Sequence, residues 1–119
     1  MDTLGWIMLV TGALTCTMLY AAVAPAKALK ATFGEALEGQ VAEVVVRNWG
    51  VLITLVGGLL IWGAFRPDVR TPALVLAAVS KLAFVALTMT KGRRYARKTG
   101  TMLVIDFVEA AIFLGVLLL

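Results

Sequence analysis

The sequence of 119 residues contains no histidine and a single cysteine, Cys16. One cysteine excludes an intramolecular disulfide and CxxC redox chemistry, and the lack of histidine removes the usual ligands of haem iron and of most zinc sites. The chain also offers no nucleophile–base set of the kind that covalent catalysis requires. We therefore expect no catalytic residues, no metal site and no cofactor.

Charge is also scarce, since only 15% of the residues are charged whereas 61% are hydrophobic. A soluble domain of this size cannot bury so much apolar surface. In lipid, only helices and closed barrels satisfy the hydrogen bonds of the backbone. The apolar runs here are long and continuous rather than alternating, which excludes a barrel. The composition predicts an all-α integral membrane protein with one domain over residues 1–119.

Four apolar runs are each long enough to cross a bilayer at about 1.5 Å per residue. The predicted helices cover about residues 5–24, 44–65, 71–90 and 101–119. Short connections join them, so we predict an up-down-up-down bundle of four transmembrane helices. The first run is expected to be a retained helix rather than a signal peptide, because Asp2 and no basic residue precedes it.

The connection over residues 26–40 is too polar to span a membrane but has a helical pattern. Thr32 and Glu35 are spaced as in a capping box, and Leu29, Phe33 and Leu37 recur on one helical face. This pattern predicts an interfacial amphipathic helix between helices one and two. A longer second helix that projects into water is equally compatible with the pattern.

Basic residues are distributed unevenly among the connections. Between helices two and three there are only Arg66 and Arg70. The first and third connections carry eight: Lys27, Lys30, Arg47, Lys91, Arg93, Arg94, Arg97 and Lys98. The positive-inside rule therefore predicts that these two connections are cytoplasmic and that both termini lie on the outer side of the membrane, which is the periplasmic side if the membrane is a bacterial inner membrane. The basic run 91–98 is also suited to anionic lipid, whereas nucleic acid is not an expected partner.

Ionisable residues within membrane spans are costly and are therefore candidates for function. Lys81 lies in the middle of helix three, and Asp106 and Glu109 share a face of helix four. At about 1.5 Å per residue, Lys81 and Glu109 fall within about 2 Å of the same depth. Asp106 is about 5 Å nearer the basic end, and from helix two Arg47, with Asn48 beside it, is the expected second partner of Asp106.

Two interpretations of this charge cluster remain open. The residues could form an ion-pair clasp that holds the helices together in lipid. Alternatively, they could form a proton or substrate site, since two carboxylates beside one lysine leave an excess charge unless Arg47 neutralises it.

Small residues and hydroxyls mark candidate helix contacts. Gly50, Thr54 and Gly58 are spaced by four residues on helix two, and Ala111 and Gly115 repeat this spacing on helix four. Such stripes allow close packing within a bundle or, where they face outward, self-association. On helix one, the hydroxyls of Thr11, Thr15 and Thr17 are expected to donate to carbonyls of their own helix.

One stretch, from Thr32 to Phe65, together with Arg70, Ser80-Lys81-Leu82 and Asp106, resembles a group of small bacterial four-helix membrane proteins. It is more distantly similar to DoxX-like and DUF4345-type proteins. The resemblance implies a four-helix membrane bundle in a bacterial cell membrane and brings no defined reaction. Some DoxX-like proteins are linked to quinone-coupled sulfur oxidation, for which this chain has no motif.

Two functions are compatible with the sequence. The first is a non-enzymatic scaffold or accessory subunit that acts as a homo-oligomer or within a larger membrane complex. The second is a small proton-coupled transporter or channel-like protein that uses Lys81, Asp106 and Glu109. A membrane enzyme or quinone-binding subunit ranks last because the chain lacks the residues for such chemistry.

Overall fold

The computed structural model describes residues 2–119, which form α-helices joined by short connections and contain no strand. Two 3₁₀ turns, Pro67–Val69 and Arg93–Tyr95, precede the last two helices. The helices are α1 (Thr3–Cys16), α2 (Leu19–Val23), α3 (Pro25–Phe33), α4 (Gln40–Phe65), α5 (Arg70–Thr90) and α6 (Ala96–Leu118).

Four helical segments are long and apolar enough to cross a membrane. They are Thr3–Val23, which combines α1 and α2, Gln40–Phe65, Pro67–Thr90 and Arg93–Leu118. The all-helical fold with four such helices is therefore as predicted. The helix of the second run begins four residues before the predicted position 44, and α6 begins five residues before the predicted position 101.

The segment predicted as one interfacial helix is helical only in its first part. Pro25 begins α3, a position where its missing N–H costs nothing. The helix ends at Phe33 because Gly34 adopts a left-handed conformation with φ of 77°, a common helix terminator. The predicted capping box of Thr32 and Glu35 is thus wrong, since Thr32 lies in the last turn of a helix rather than before the first. Residues 34–39 are not helical.

Neighbouring spans alternate in direction. α1 and α2 run antiparallel to α4, since Met8 contacts Gly63 near one end and Ala21 contacts Gly50 near the other. α5 returns parallel to α1, with Asp2 near Arg70 and Thr15 near Lys81. α6 packs antiparallel on α5.

Two apolar clusters fill the interior. The larger one surrounds Phe113, Met8 and Leu60, and the smaller one joins Ala21, Ala28 and Val46 at the end that carries α3. The outer faces of the spans expose large apolar side chains. They include Trp6, Leu55, Trp62, Leu76, Val79, Val104 and Phe107.

Candidate functional site: a charged cavity between the helices

Lys81 is buried midway along α5 and faces both carboxylates of α6. Its Nζ lies 2.5 Å from Oε2 of Glu109 and 3.3 Å from Oδ1 of Asp106. The structure therefore brings together the three residues that the sequence places at similar depth. Only 8% of the Lys81 and Glu109 side chains and 18% of the Asp106 side chain are exposed.

Thr15 of α1 completes the surroundings of the ammonium group. Its Oγ1 donates to the carbonyl oxygen of Thr11 at 2.7 Å, as expected for a hydroxyl in an apolar helix. The same oxygen accepts a hydrogen bond from Lys81 Nζ at 3.3 Å. One hydroxyl thus satisfies its own helix and also contacts the charge cluster, a second role that spacing along α1 did not predict.

The two carboxylates are not fully satisfied by the protein. Glu109 Oε2 is paired with the Lys81 ammonium, and no other donor of residues 2–119 forms a hydrogen bond with it. Asp106 accepts its hydrogen bond from Lys81 through Oδ1. Within the described chain, no side chain or backbone donor reaches Asp106 Oδ2 or Glu109 Oε1, so each carboxylate retains acceptor capacity.

These groups line a cavity of about 240 Å³ between the four spans. Thr15, Ser80, Lys81, Asp106 and Glu109 supply its main polar surface. The rest of the wall is apolar or aromatic and consists chiefly of Met18, Trp49, Ile53, Val56, Phe84 and Met102. The lining contains one cationic side chain and two carboxylates, so the cavity carries an excess of negative groups.

The cavity opens between α1 and α6. Leu14 on α1 and Ile105 on α6 both line it, and they are 55% and 44% exposed. α4 and α5 form the opposite wall through Ile53, Val56 and Phe84. Access is therefore from the side of the bundle, between two apolar helix faces.

The predicted partnership of Arg47 with Asp106 is wrong. Arg47 instead pairs with Glu43 one turn earlier on α4, at 3.0 Å, and donates to the carbonyl oxygen of Ala22 at 2.5 Å. Almost half of its side chain is exposed, and Asn48 beside it is exposed as well. Neither residue lines the cavity. The helical phase of α4 explains this result, because Trp49 and Ile53 are the residues on the face that points inward.

An aromatic cluster separates the cavity from a second, more open groove at the basic end of the bundle. The Trp49 and Phe84 rings are stacked with centroids 6.2 Å apart, and both rings line the cavity and the groove. Phe33 packs against both rings, and its centroid is 5.7 Å from that of Tyr95. α3 therefore contributes Phe33 to the bundle.

The small residues divide between the inside and the outside of the bundle. Gly50 is buried against α2, and Thr54 is half-buried with its carbonyl oxygen 3.7 Å from Cys16 Sγ. Gly58, Ala111 and Gly115 are exposed. The tight contact between α1 and α4 instead uses Gly12 and Gly57.

A second charged contact, which the sequence analysis did not identify, lies at the opposite end of the bundle. Arg70 makes a bidentate pair with Asp2, with Nη–Oδ distances of 2.8 and 2.9 Å. Arg70 also donates to the carbonyl oxygens of Gly63 and Ala64 in the last turn of α4. The alternating order of helices could have predicted it, since the starts of helices one and three share one end.

No protein-family model, curated protein or solved structure matches this chain.

Proposed function

We propose that this chain is a multi-pass protein of the bacterial inner membrane whose central cavity binds and releases protons in a small coupled transporter. Four spans of sufficient length and hydropathy support the membrane location. The exposed apolar side chains on their outer faces support it too, because lipid would cover a surface that water disfavours.

The observation that carries the proton role is the unequal number of charges. Two carboxylates face one lysine in a cavity, and Arg47, which could have balanced the second carboxylate, is engaged elsewhere. A purely structural clasp in lipid favours matched charges, because an uncompensated ion at membrane depth is costly. A proton shared by the two carboxylates removes the excess charge.

The surrounding elements leave few other groups to take part. α1 contributes the Thr15 hydroxyl, α5 contributes Lys81 and Ser80, and α4 presents apolar and aromatic side chains. Lys81 would hold one carboxylate in its ionised form. The other would bind a proton from one side of the membrane and release it when a cation or a change of conformation displaces that proton.

Infrared difference spectroscopy of the protein in lipid nanodiscs tests this proposal. A pH titration should produce a C=O stretching band of a protonated carboxyl group. Asp106→Asn or Glu109→Gln should remove or shift this band while the variant remains folded, because each single variant keeps one carboxylate beside Lys81. Asp68→Asn, which changes an exposed carboxylate outside the cavity, is the matched control. An identical titration in wild type and both cavity variants would contradict the proposal.

Orientation is a separate part of the proposal and follows from the uneven basic residues. We expect the first and third connections in the cytoplasm and both termini outside. Single cysteines at positions 68 and 94, in a Cys16→Ala background, can be labelled in intact cells with an impermeant thiol reagent. Labelling at position 68 but not at position 94 is expected, and the reverse result would invert the orientation.

A second candidate function is that of a scaffold or accessory subunit, which the outward-facing small residues support. Beyond the neighbouring backbone of its own helix, a Cβ atom added at Gly58 or Gly115 would meet no atom of residues 2–119 within 4 Å. Such faces allow another helix to approach closely. Native mass measurement in lipid nanodiscs separates the candidates, because Gly58→Leu or Gly115→Leu should dissociate an oligomer built on these faces and leave a monomer unchanged.

A further inference from the structure

The cavity has a chemical character that points to a class of ligand. Its wall is mostly apolar, its unsatisfied groups are carboxylate oxygens, and one side is formed by the stacked Trp49 and Phe84 rings. Its volume of about 240 Å³ is smaller than that of pockets for drug-sized molecules. A ligand that fits must be small, largely apolar and positively charged.

From this geometry we infer that the cavity binds a small organic ammonium ion with an aromatic or aliphatic body. This inference rests on the proposed function, and it adds that the ligand occupies the same carboxylates as the proton. The ammonium group would lie beside Asp106 and Glu109, and the apolar body would contact Trp49 and Phe84. Aromatic faces attract cations, which reinforces the selection for positive charge.

Three observations carry the inference together. First, Glu109 is more than nine-tenths buried and shares its cationic partner Lys81 with Asp106, so two carboxylates depend on one ammonium group. Second, Phe84 lies three residues after Lys81 on α5, so it occupies the same helical face. It is about one turn nearer the groove at the basic end of the bundle. Third, the mouth between Leu14 and Ile105 is apolar, which suits a ligand that enters from the bilayer rather than from water.

Lys81 repels a second cation, but the three charged groups together leave the cavity with a net negative charge. The Lys81 Nζ already contacts Asp106 Oδ1, Glu109 Oε2 and Thr15 Oγ1. It therefore neutralises one of the two negative charges and leaves the other for the ligand. An anionic ligand, by contrast, would add to an excess of negative charge in a low-dielectric cavity.

Trp49 provides the reporter for a binding experiment. In a Trp6→Phe/Trp62→Phe background, its fluorescence reports occupation of the cavity. The probe is benzylammonium, whose N–H groups can donate to the carboxylate oxygens, compared with the anion phenylmethanesulfonate and with neutral benzyl alcohol, all measured in nanodiscs of uncharged lipid. We expect saturable binding of the ammonium ion, with an affinity at least about tenfold higher than that of the other two compounds. Equal binding of all three, or preferential binding of the anion, would overturn the inference.

Matched variants locate the probe. Asp106→Asn should weaken ammonium binding at least about tenfold, and Asp68→Asn should not change it. Phe84→Leu should weaken it about 2- to 30-fold, the range of a cation–aromatic contact. Phe107→Leu is its control, since Phe107 is exposed on α6 and does not line the cavity. Retained affinity in Phe84→Leu and Asp106→Asn would place the probe elsewhere and reject the site.

Competition with protons separates this inference from the proposed function. If both hold, the affinity for the ammonium ion falls by up to about tenfold per pH unit on acidification, and the carboxyl infrared band titrates. A titrating band without saturable binding rejects the ammonium ligand and leaves the proton role in place. Binding that is independent of pH, without a titrating band, keeps the ammonium site and rejects the proton role.

Discussion

Two charged clusters at different levels of the bundle differ in charge balance and in surroundings. Asp2 and Arg70 form a matched pair at one end of the bundle, and the remaining guanidinium donors bind carbonyl oxygens of α4. Lys81, Asp106 and Glu109 lie between the spans with one more carboxylate than the lysine can neutralise. The first cluster has the arrangement of a structural clasp, and the second has unused acceptor capacity inside a cavity.

This difference shows why burial alone does not identify a site. Both clusters contain a largely buried cation, with 17% of the Arg70 side chain and 8% of the Lys81 side chain exposed. What distinguishes them is whether each polar atom is satisfied by the protein. Satisfied atoms hold the helices together, whereas unsatisfied ones leave room for a proton or a ligand.

The largest expected effect comes from removing both partners of Lys81. The double variant Asp106→Asn/Glu109→Gln should lower the free energy of unfolding by about 3–5 kcal/mol, because it leaves a buried ammonium with no anion. Adding Lys81→Met should restore most of this loss. Denaturant titration in mixed micelles measures both quantities. A triple variant no more stable than the double variant would show that ion pairing is not what holds α5 and α6 together.

A smaller loss should follow from disturbing α1, which contributes to both clusters through Thr15 and through Asp2, the residue that caps its N-terminus. A Cβ at Gly57 would lie 2.7 Å from the carbonyl oxygen of Gly12 and 2.9 Å from the Cys16 nitrogen, so α1 would have to move. Gly57→Ala should cost about 1–3 kcal/mol in the same titration.

Gly58→Ala is the adjacent control, because an added Cβ there meets nothing within 4 Å. Its stability should equal or slightly exceed that of the wild type, since alanine favours helix more than glycine does. Similar losses of stability in Gly57→Ala and Gly58→Ala would show that the close contact between α1 and α4 at Gly57 is not what makes the Gly57 substitution costly.

The sequence predicted the parts of the fold that depend on apolar length and charge depth. Run lengths gave the four long helices, and a rise of about 1.5 Å per residue placed Lys81 opposite Glu109. The sequence did not predict the position of Arg47. Spacing along a helix gives the depth of a residue in the membrane, but it does not give the rotation of the helix about its axis, which turns Trp49 rather than Arg47 inward. The end of α3 at Gly34 was also missed, since a capping-box spacing and a glycine terminator competed within four residues.

The cavity itself could not be predicted from the sequence. Its walls come from four spans, and α1 contributes Thr15 through a contact between residues 66 positions apart. Periodicity reports which residues share a face of one helix. It does not report where two helices separate to leave an opening.

The end clasp, which consists of Asp2, Arg70 and the carbonyl oxygens of Gly63 and Ala64, should tolerate substitution better than the Lys81 cluster. Arg70→Gln removes a charged donor from two carbonyl oxygens of α4 and from Asp2, and we expect the melting temperature to fall by a few degrees. Arg66→Gln, which breaks only an exposed pair with Asp68, should have no measurable effect. Scanning fluorimetry of both variants makes the comparison, and equal melting temperatures would mean that the clasp adds nothing to stability.

The smallest effect should be a decrease in stability at acidic pH that comes from the carboxylate of Asp2. The hydrogen bond from Arg70, followed by that from the Gly5 N–H, lowers the pKa of the Asp2 carboxyl from 3.8 to about 2. Because the pKa is lower in the folded state, the stabilisation is fully present above the ordinary pKa and is lost as the pH falls towards about 2. The stability difference between wild type and Asp2→Asn should therefore be constant at neutral pH, shrink below about pH 4 and be largely lost as the pH falls through about 2.

Denaturant titrations at several pH values measure the free energy of unfolding of wild type and of Asp2→Asn. Subtracting one from the other removes the contributions of the other carboxylates, which both proteins share. Asp68→Asn, which changes an exposed carboxylate paired with the exposed Arg66, is the matched control for this comparison. A wild-type advantage over Asp2→Asn that is as large at pH 2 as at neutral pH would mean that it does not come from the negative charge of Asp2. The pair of Asp2 and Arg70 would then not stabilise the fold through its charges, and only the Lys81 cluster would be held by electrostatic attraction.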